Sequence, residues 1–216
     1  MANDVTQKSE AREENGRALG PRAQNTRQAL LAATAELLAQ QSLRDVRVVD
    51  IARSVGSSPA TFYQYFKDVE DAVLCLTRQA SDEMPAILEH LEGDWSGEPG
   101  MECARLIAAA FIDHWDEHRA VLRIRNTASD EGDQRFQEIR KQAMQPVLLA
   151  LARQLVRHRG DTPVTGEHPL AAAAGLAAIL ERLAAYHKEL EDFGVTRDDL
   201  IETSARIVHR TVTGCT

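Results

Sequence analysis

Between Val48 and Lys67 the chain has room for two short helices and almost nothing between them, and this constrains the fold more than any other stretch. Val48, Ile51, Ala52 and Val55 form an apolar stripe at helical spacing, and Gly56 can take the positive φ that ends a helix. Ser57-Ser58-Pro59 follows at once, with hydroxyls to cap a new helix and a proline suited to its first position. Phe62 and Phe66 lie four apart and share a face, which predicts that both are buried. Upstream, Leu30, Leu31, Leu37 and Leu38 give a core-facing stripe to a helix expected from Thr26 to Gln41, capped by Thr26 or Asn25. This is the helix-turn-helix layout, in which the second helix of the tight pair enters the DNA major groove.

In that layout the exposed side of the Pro59–Tyr65 helix reads DNA. Ala60, Thr61 and Gln64 are placed to meet bases or phosphates. Gln64 can bond bidentately to adenine, and the methyls of Thr61 and Ala60 can touch thymine. Tyr63, Tyr65 and Lys67 suit phosphate contacts, which position a protein without reading sequence; packing within the domain is the competing role for Tyr65. Arg47 and Ser57 add phosphate contacts at the two ends of the preceding helix. A single short helix reads few base pairs, so a twofold dimer on a palindrome is expected.

The same stretch carries a family resemblance. Ile51-Ala52, Gly56, Thr61-Phe62-Tyr63, Tyr65-Phe66 and Glu70, preceded by Ala29-Leu30-Leu31-Ala32-Ala33 and Leu37-Leu38, resemble the signature of TetR-type bacterial repressors over about residues 26 to 76. Within that family the chain looks most like the actinobacterial ethionamide-resistance repressor group. The resemblance implies repression, an inducer held in a helical body, and a backbone contact from Tyr63. Three positions depart from the family pattern. Val69 stands where a lysine often meets phosphate, Ala60 where glycine is common, and Arg47 where Ser or Thr usually caps, leaving Asp45 as the substitute cap.

The net charge of −8 argues against a DNA binder only until its distribution is read. Residues 1–67 carry nine Lys/Arg against seven Asp/Glu, whereas residues 68–216 carry 16 against 26. A basic head on an acidic body suits a protein that touches DNA at one end; an ordinary solubilising acidic surface gives the same totals. No unbroken apolar run nears the roughly 18 residues of a membrane span, and no signal-peptide stretch opens the chain. Cys75, Cys103 and Cys215 are far apart and lack metal-ligand spacing, so reduced thiols and a cytoplasmic protein are expected.

Along the chain, residues 1–24 read as a disordered tail, with Arg12, Arg17 and Arg22 able to follow a phosphate backbone, residues 25–67 as the helix-turn-helix domain, and residues 68–216 as a ligand-binding and dimerisation domain. Asp68 is expected to cap a long helix running to Leu91, a rod joining the two parts. Gly93–Gly100 and Asp161–Pro169 read as loops. Further helices are expected over about 101–115, 119–129, 133–158 (bent at Pro146), 168–190 and 197–212. The fold class is all-α with about nine helices. The last two helices are the expected homodimer interface: the Ala-rich run Pro169–Tyr186 allows close packing, and Leu200, Ile201, Ala205, Val208 and Val212 give the last helix a stripe. Burial of the Ala-rich helix inside one chain is the competing arrangement.

Met101, Ile107, Phe111, Trp115, Leu122, Phe136, Met144 and Leu180 supply large, flexible apolar groups that either line a cavity for a lipophilic effector or form ordinary core, with Asn126, Thr127, His114 and Tyr186 as polar contacts. No nucleophile elbow, phosphate-binding glycine loop or HExxH motif is present, so no catalytic residue and no cofactor is expected. His114-Trp-Asp-Glu-His118 has histidines at i and i+4, a metal-capable spacing, but acidic neighbours favour solvated side chains and no metal. A helical small-molecule or partner-binding module with a vestigial DNA head is the alternative function.

Overall fold

The structure, a computed structural model, describes residues 20–159 and 168–214. Most of the expected tail and of the 161–169 loop, together with Arg12, Arg17 and Cys215, lie outside the described residues. The chain divides into two compact units, one ending at Leu76 and the other starting at Thr77. Nine helices account for the secondary structure among the described residues, with no strand.

The first unit holds α1 (Pro21–Gln40), α2 (Val48–Ser54), α3 (Pro59–Tyr63) and the start of α4 (Val69–Glu83). Helix α1 begins five residues earlier than the sequence suggests, with Pro21 at its first position. Thr26 does not cap it: its hydroxyl donates to the Arg22 carbonyl one turn back, inside the helix. Arg22 is therefore helical rather than part of a tail. Leu30, Leu31, Ile51, Ala52, Phe62 and Phe66 form the buried centre. Arg27 lies 5.2 Å over the Phe66 ring and donates to Cys75 Sγ at 3.3 Å, which ties α1 to the first half of α4. The carboxylate of Asp68 accepts from the Asp71 amide at 2.8 Å, capping α4 as its position predicts.

The expected rod from Asp68 to Leu91 is two helices. Helix α4 ends at Glu83, and α5 spans Pro85–Leu91. Pro85 has no amide hydrogen to continue the ladder, and the Met84 amide instead donates to Ser81 in a tighter turn. The apolar spacing continues across the break, which is why periodicity alone joins the pieces.

In the second unit, α6 (Gly97–Asp130) is central and packs against α7 (Gln134–Arg159), α8 (Pro169–Glu191) and α9 (Arg197–Thr213). Helix α6 leaves helical geometry at His118, matching the gap expected between two helical patterns there. Helix α7 continues through Pro146 as one element. The Leu91 carbonyl, orphaned at the end of α5, accepts from Trp95 Nε1 at 3.3 Å and from Gln154 Nε2 at 2.6 Å. Gly100 permits the Trp95 turn, because a Cβ there would lie 2.0 Å from the Trp95 carbonyl oxygen. Thr196 and Asp199 form a reciprocal capping box at the start of α9.

Helix α8 is two-sided. Ala173, Leu176, Ala177, Leu180 and Ala184 are buried, whereas Ala171, Ala174, Gly175, Ala178 and Ile179 are exposed. The stripe expected to make α9 self-associate is spent within one chain: Leu200, Ala205, Val208 and Val212 are buried, and Ile201 is partly so. By length and composition α8 is also apolar enough to cross a membrane, its most apolar 18 residues having a mean hydropathy of 1.3, although charged residues enter from Glu181 onward. The core helix of a helical bundle meets the same criterion.

Candidate nucleic-acid interface and effector cleft

The turn between α2 and α3 is set by three residues. Gly56 takes φ +64°, a conformation that favours glycine, and the Ser57 amide closes back on the Ala52 carbonyl at 2.9 Å. The Ser58 hydroxyl accepts from the Thr61 amide at 3.2 Å, and Pro59 occupies the first helical position. Ser58→Ala removes this cap and is expected to lower stability by about 1 kcal/mol, read as a shift in the denaturant midpoint; Ser58→Asp retains a cap and should not reproduce it.

Phe62 and Phe66 are buried with ring centroids 5.3 Å apart, as their spacing predicts, and this turns the opposite side of the segment outward. Tyr63, Gln64, Ala60, Lys67 and Arg47 are exposed. Tyr63 rests its ring edge-on against Phe62 at 5.8 Å while leaving 59% of its surface open, so its hydroxyl is held out on a fixed base. Ser57, Thr61 and Tyr65 are half-buried. The hydroxyls of Ser57 and Thr61 engage the Ala52 carbonyl and the Ser58 hydroxyl, which leaves them less available to DNA than their positions suggest. Gln64 sits just past the end of α3, which is shorter than expected. Asp45 does not cap α2: its carboxylate takes the Ser42 hydroxyl at 2.6 Å, and the exposed Arg47 occupies the cap position without a side-chain bond.

Two clefts of the body are formed by described residues. The larger, about 880 Å³, runs between α6 and α8 and is lined by Trp115, Asn126, Thr127 and Tyr186 along with Arg119, Arg123, Arg140 and Arg182. The smaller, about 370 Å³, includes Met144 and Leu148. Of the ten sequence-predicted effector residues, Trp115, Asn126, Tyr186 and Met144 line these clefts. Ile107, Phe111, Leu122, Phe136 and Leu180 are instead buried in the packed interior, and Met101 packs against the core cluster. Apolar side chains at helical spacing close on one another, because an empty apolar space forfeits their dispersion contacts.

The sequence profile described as "Bacterial regulatory proteins, tetR family" matches residues 30–71, and that described as "Tetracyclin repressor-like, C-terminal domain" matches residues 89–216. This chain belongs to the TetR family. It is a DNA-binding transcriptional regulator and not an enzyme. Solved structures share the fold at low identity. A TetR-family regulator from Streptomyces coelicolor is 16% identical with a TM-score of 0.68, covering 91% of this chain and 84% of its own. FadR from Bacillus subtilis, solved in complex with stearoyl-CoA, is 16% identical with a TM-score of 0.62, covering 88% and 99%. SmeT, the repressor of the Stenotrophomonas maltophilia multidrug efflux pump SmeDEF, is 17% identical with a TM-score of 0.60, covering 89% and 90%. Comparison with curated proteins finds no match.

Sequence reasoning missed the charged floor of this TetR-family body. Arg125 is 2% exposed and donates to Glu181 at 2.8 Å; Arg140 donates to the other Glu181 oxygen at 2.8 Å, and Asn126 adds a third bond. Burial pushes the Glu181 carboxyl up, but the bond and charge of Arg140, the charge of Arg125 and the Asn126 amide outweigh it and hold it below the ordinary carboxylate range. Burial draws Arg125 down to about 10, against the pull of Glu181, so it remains a cation at neutral pH. A signal was present in the sequence: Arg125 stands three residues after Leu122 and Glu181 one after Leu180, at buried positions, and Asn126 is among the expected polar contacts.

Nor is the His114–His118 pair of this regulator simply solvated. The Nε2 atom of His114 is buried without a hydrogen-bond partner, and the His118 Nε2 lies 2.7 Å from Glu83 Oε2. Burial, then the charges of His118 and Arg125, push His114 down to about 4, so its ring is neutral at physiological pH. An unsatisfied buried polar atom typically costs about 1–3 kcal/mol, so this one calls for a reason.

Proposed function

We propose that this regulator binds a palindromic operator in double-stranded DNA as a homodimer, represses from it, and is released by a lipophilic small molecule. The observation that carries the reading is the exposed set of Tyr63, Gln64 and Lys67 fixed above buried Phe62 and Phe66. Gln64 and Ala60 read bases in this proposal, with Thr61 as a methyl contact; Tyr63, Tyr65, Lys67, Arg47 and Ser57 position the backbone. Residues 25–67 then serve as the DNA-binding domain and 68–216 as the effector and dimerisation domain. Such a protein works in the cytoplasm, where the DNA is.

The dimer is supported by the outward side of α8, where small and apolar residues recur every three or four positions from Ala171 to Ile179. On α9 the available side is that of Arg206, Ile207 and Arg210 rather than the buried stripe. Repression is supported by the likeness to SmeT, a repressor, and effector binding by the likeness to FadR, solved in complex with stearoyl-CoA. An acyl-bearing molecule would suit the larger cleft, with its apolar part against Trp115 and Tyr186 and its polar end at Arg119, Arg123 and Arg182, among which Asp130, Glu181 and Glu189 also lie. Kinship with the ethionamide-resistance repressor group is part of the same proposal and rests on sequence resemblance. Effector and operator oppose each other by linkage, so DNA weakens effector binding by the same factor.

Genomic DNA capture followed by a footprint at about 0.15 M salt tests this reading. The expected result is a protected palindrome. Gln64→Ala is expected to weaken it by about 1–3 kcal/mol per base contact and to relax preference at one position, whereas Tyr63→Ala weakens all sequences alike. Diffuse binding that salt abolishes would reject operator recognition and leave the alternative of a helical binding module.

A further inference from the structure

Glu83, His114 and His118 take no part in the DNA face or the clefts. Each offers a ligand atom, and these atoms all lie within 4.8 Å of one another. Glu83 is the last residue of α4, immediately before the Met84–Pro85 break, and His118 is the residue at which α6 leaves helical geometry. The two imidazole rings have centroids 5.0 Å apart.

We propose that Glu83, His114 and His118 form a divalent transition-metal site of the zinc class, with a fourth position open to water or another ligand. Two imidazoles and one carboxylate are a donor set that suits zinc and neighbouring late first-row ions; magnesium and calcium prefer oxygen cages. Metal–donor bonds of about 2.0–2.1 Å place tetrahedral donors roughly 3.3 Å apart, so side-chain rotation need draw in the widest pair, within 4.8 Å, by no more than about 1.5 Å. Glu83 and His118, hydrogen-bonded at 2.7 Å, would instead open to about that spacing as the ion takes the place of the shared proton. A hydrogen bond accounts for those two groups but not for the third, since His114 Nε2 is buried without a hydrogen-bond partner. A metal ion converts all three into ligands and fastens the end of α4 to the break in α6.

The test uses full-length protein stripped with chelator and titrated with zinc against a chromophoric competitor, with cobalt as a spectroscopic stand-in. One equivalent per chain is expected, with visible cobalt bands of a low-coordinate nitrogen–oxygen site and a rise in Tm on zinc addition. Glu83→Gln and His118→Gln each remove a ligand from a position that is not fully buried. With circular dichroism confirming the fold, each is expected to weaken zinc binding at least about tenfold and to abolish the Tm rise. Absence of stoichiometric binding, or binding undiminished in either variant, would overturn the site.

Discussion

Glu181→Ala is expected to destabilise the helical body by about 3–5 kcal/mol, the range for removing one member of a buried ion pair. The damage comes from what remains. Arg125, at 2% exposure, loses the carboxylate that neutralises it and keeps its desolvation. The Arg140 side chain is 41% exposed and can turn to water, so Arg140→Ala is expected to cost about 1 kcal/mol or less. The paired replacement Glu181→Leu with Arg125→Met should recover much of the loss, because it removes both buried charges together. Denaturant midpoints of the full chain decide this; a loss below about 1 kcal/mol for Glu181→Ala would mean that cleft water already solvates Arg125. The pH dependence has a fixed sign. The native Glu181 carboxyl sits below its unfolded value, so its contribution is complete above about pH 4–5 and is lost as acid protonates the native state. The gap between wild type and variant should therefore close in strong acid and not in base.

Phe62→Ala is expected to abolish operator binding by unfolding the head, at about 3–5 kcal/mol. Phe62 has no exposed surface, and its ring carries both Phe66 and Tyr63. Helix α3 is only five residues long, far short of what sustains a helix without tertiary packing. Its position depends on Phe62. The diagnostic is the contrast with Tyr63→Ala, which removes an exposed phenol and should weaken DNA binding while leaving the melting profile nearly unchanged. If Phe62→Ala melted like wild type and still protected the operator, the packing argument would be wrong.

How far the sequence could be read differs by element. Gly56, Ser58 and Pro59 each have one strong local preference, and all three act as their types dictate, so the turn between α2 and α3 was legible, whereas the caps expected at Thr26 and Asp45 and the length of α3 were not. The division of α4 from α5 was equally visible at Pro85, but the apolar spacing on either side is in phase and masks it. Side-chain type could not separate core from cavity: Phe111 and Trp115 are four apart and both apolar, yet only Trp115 reaches a cleft. For α8, small residues on every side admit both internal packing and self-association, and the structure uses one side for the first while leaving the other open. His114 looked solvated because Asp116 and Glu117 follow it, although its own position points inward.

The carbonyl of Leu91 gives α5 a mechanical character. At its far end α5 is fastened by that oxygen to Trp95 and to Gln154 of α7; at its near end the ladder is interrupted at Met84. The end of α4 is tied to the same interior by a different means, the buried side chains of Ala80 and Met84 and the Glu83–His118 bond, so the break in the ladder at Met84 changes the helix direction without freeing either helix from the core.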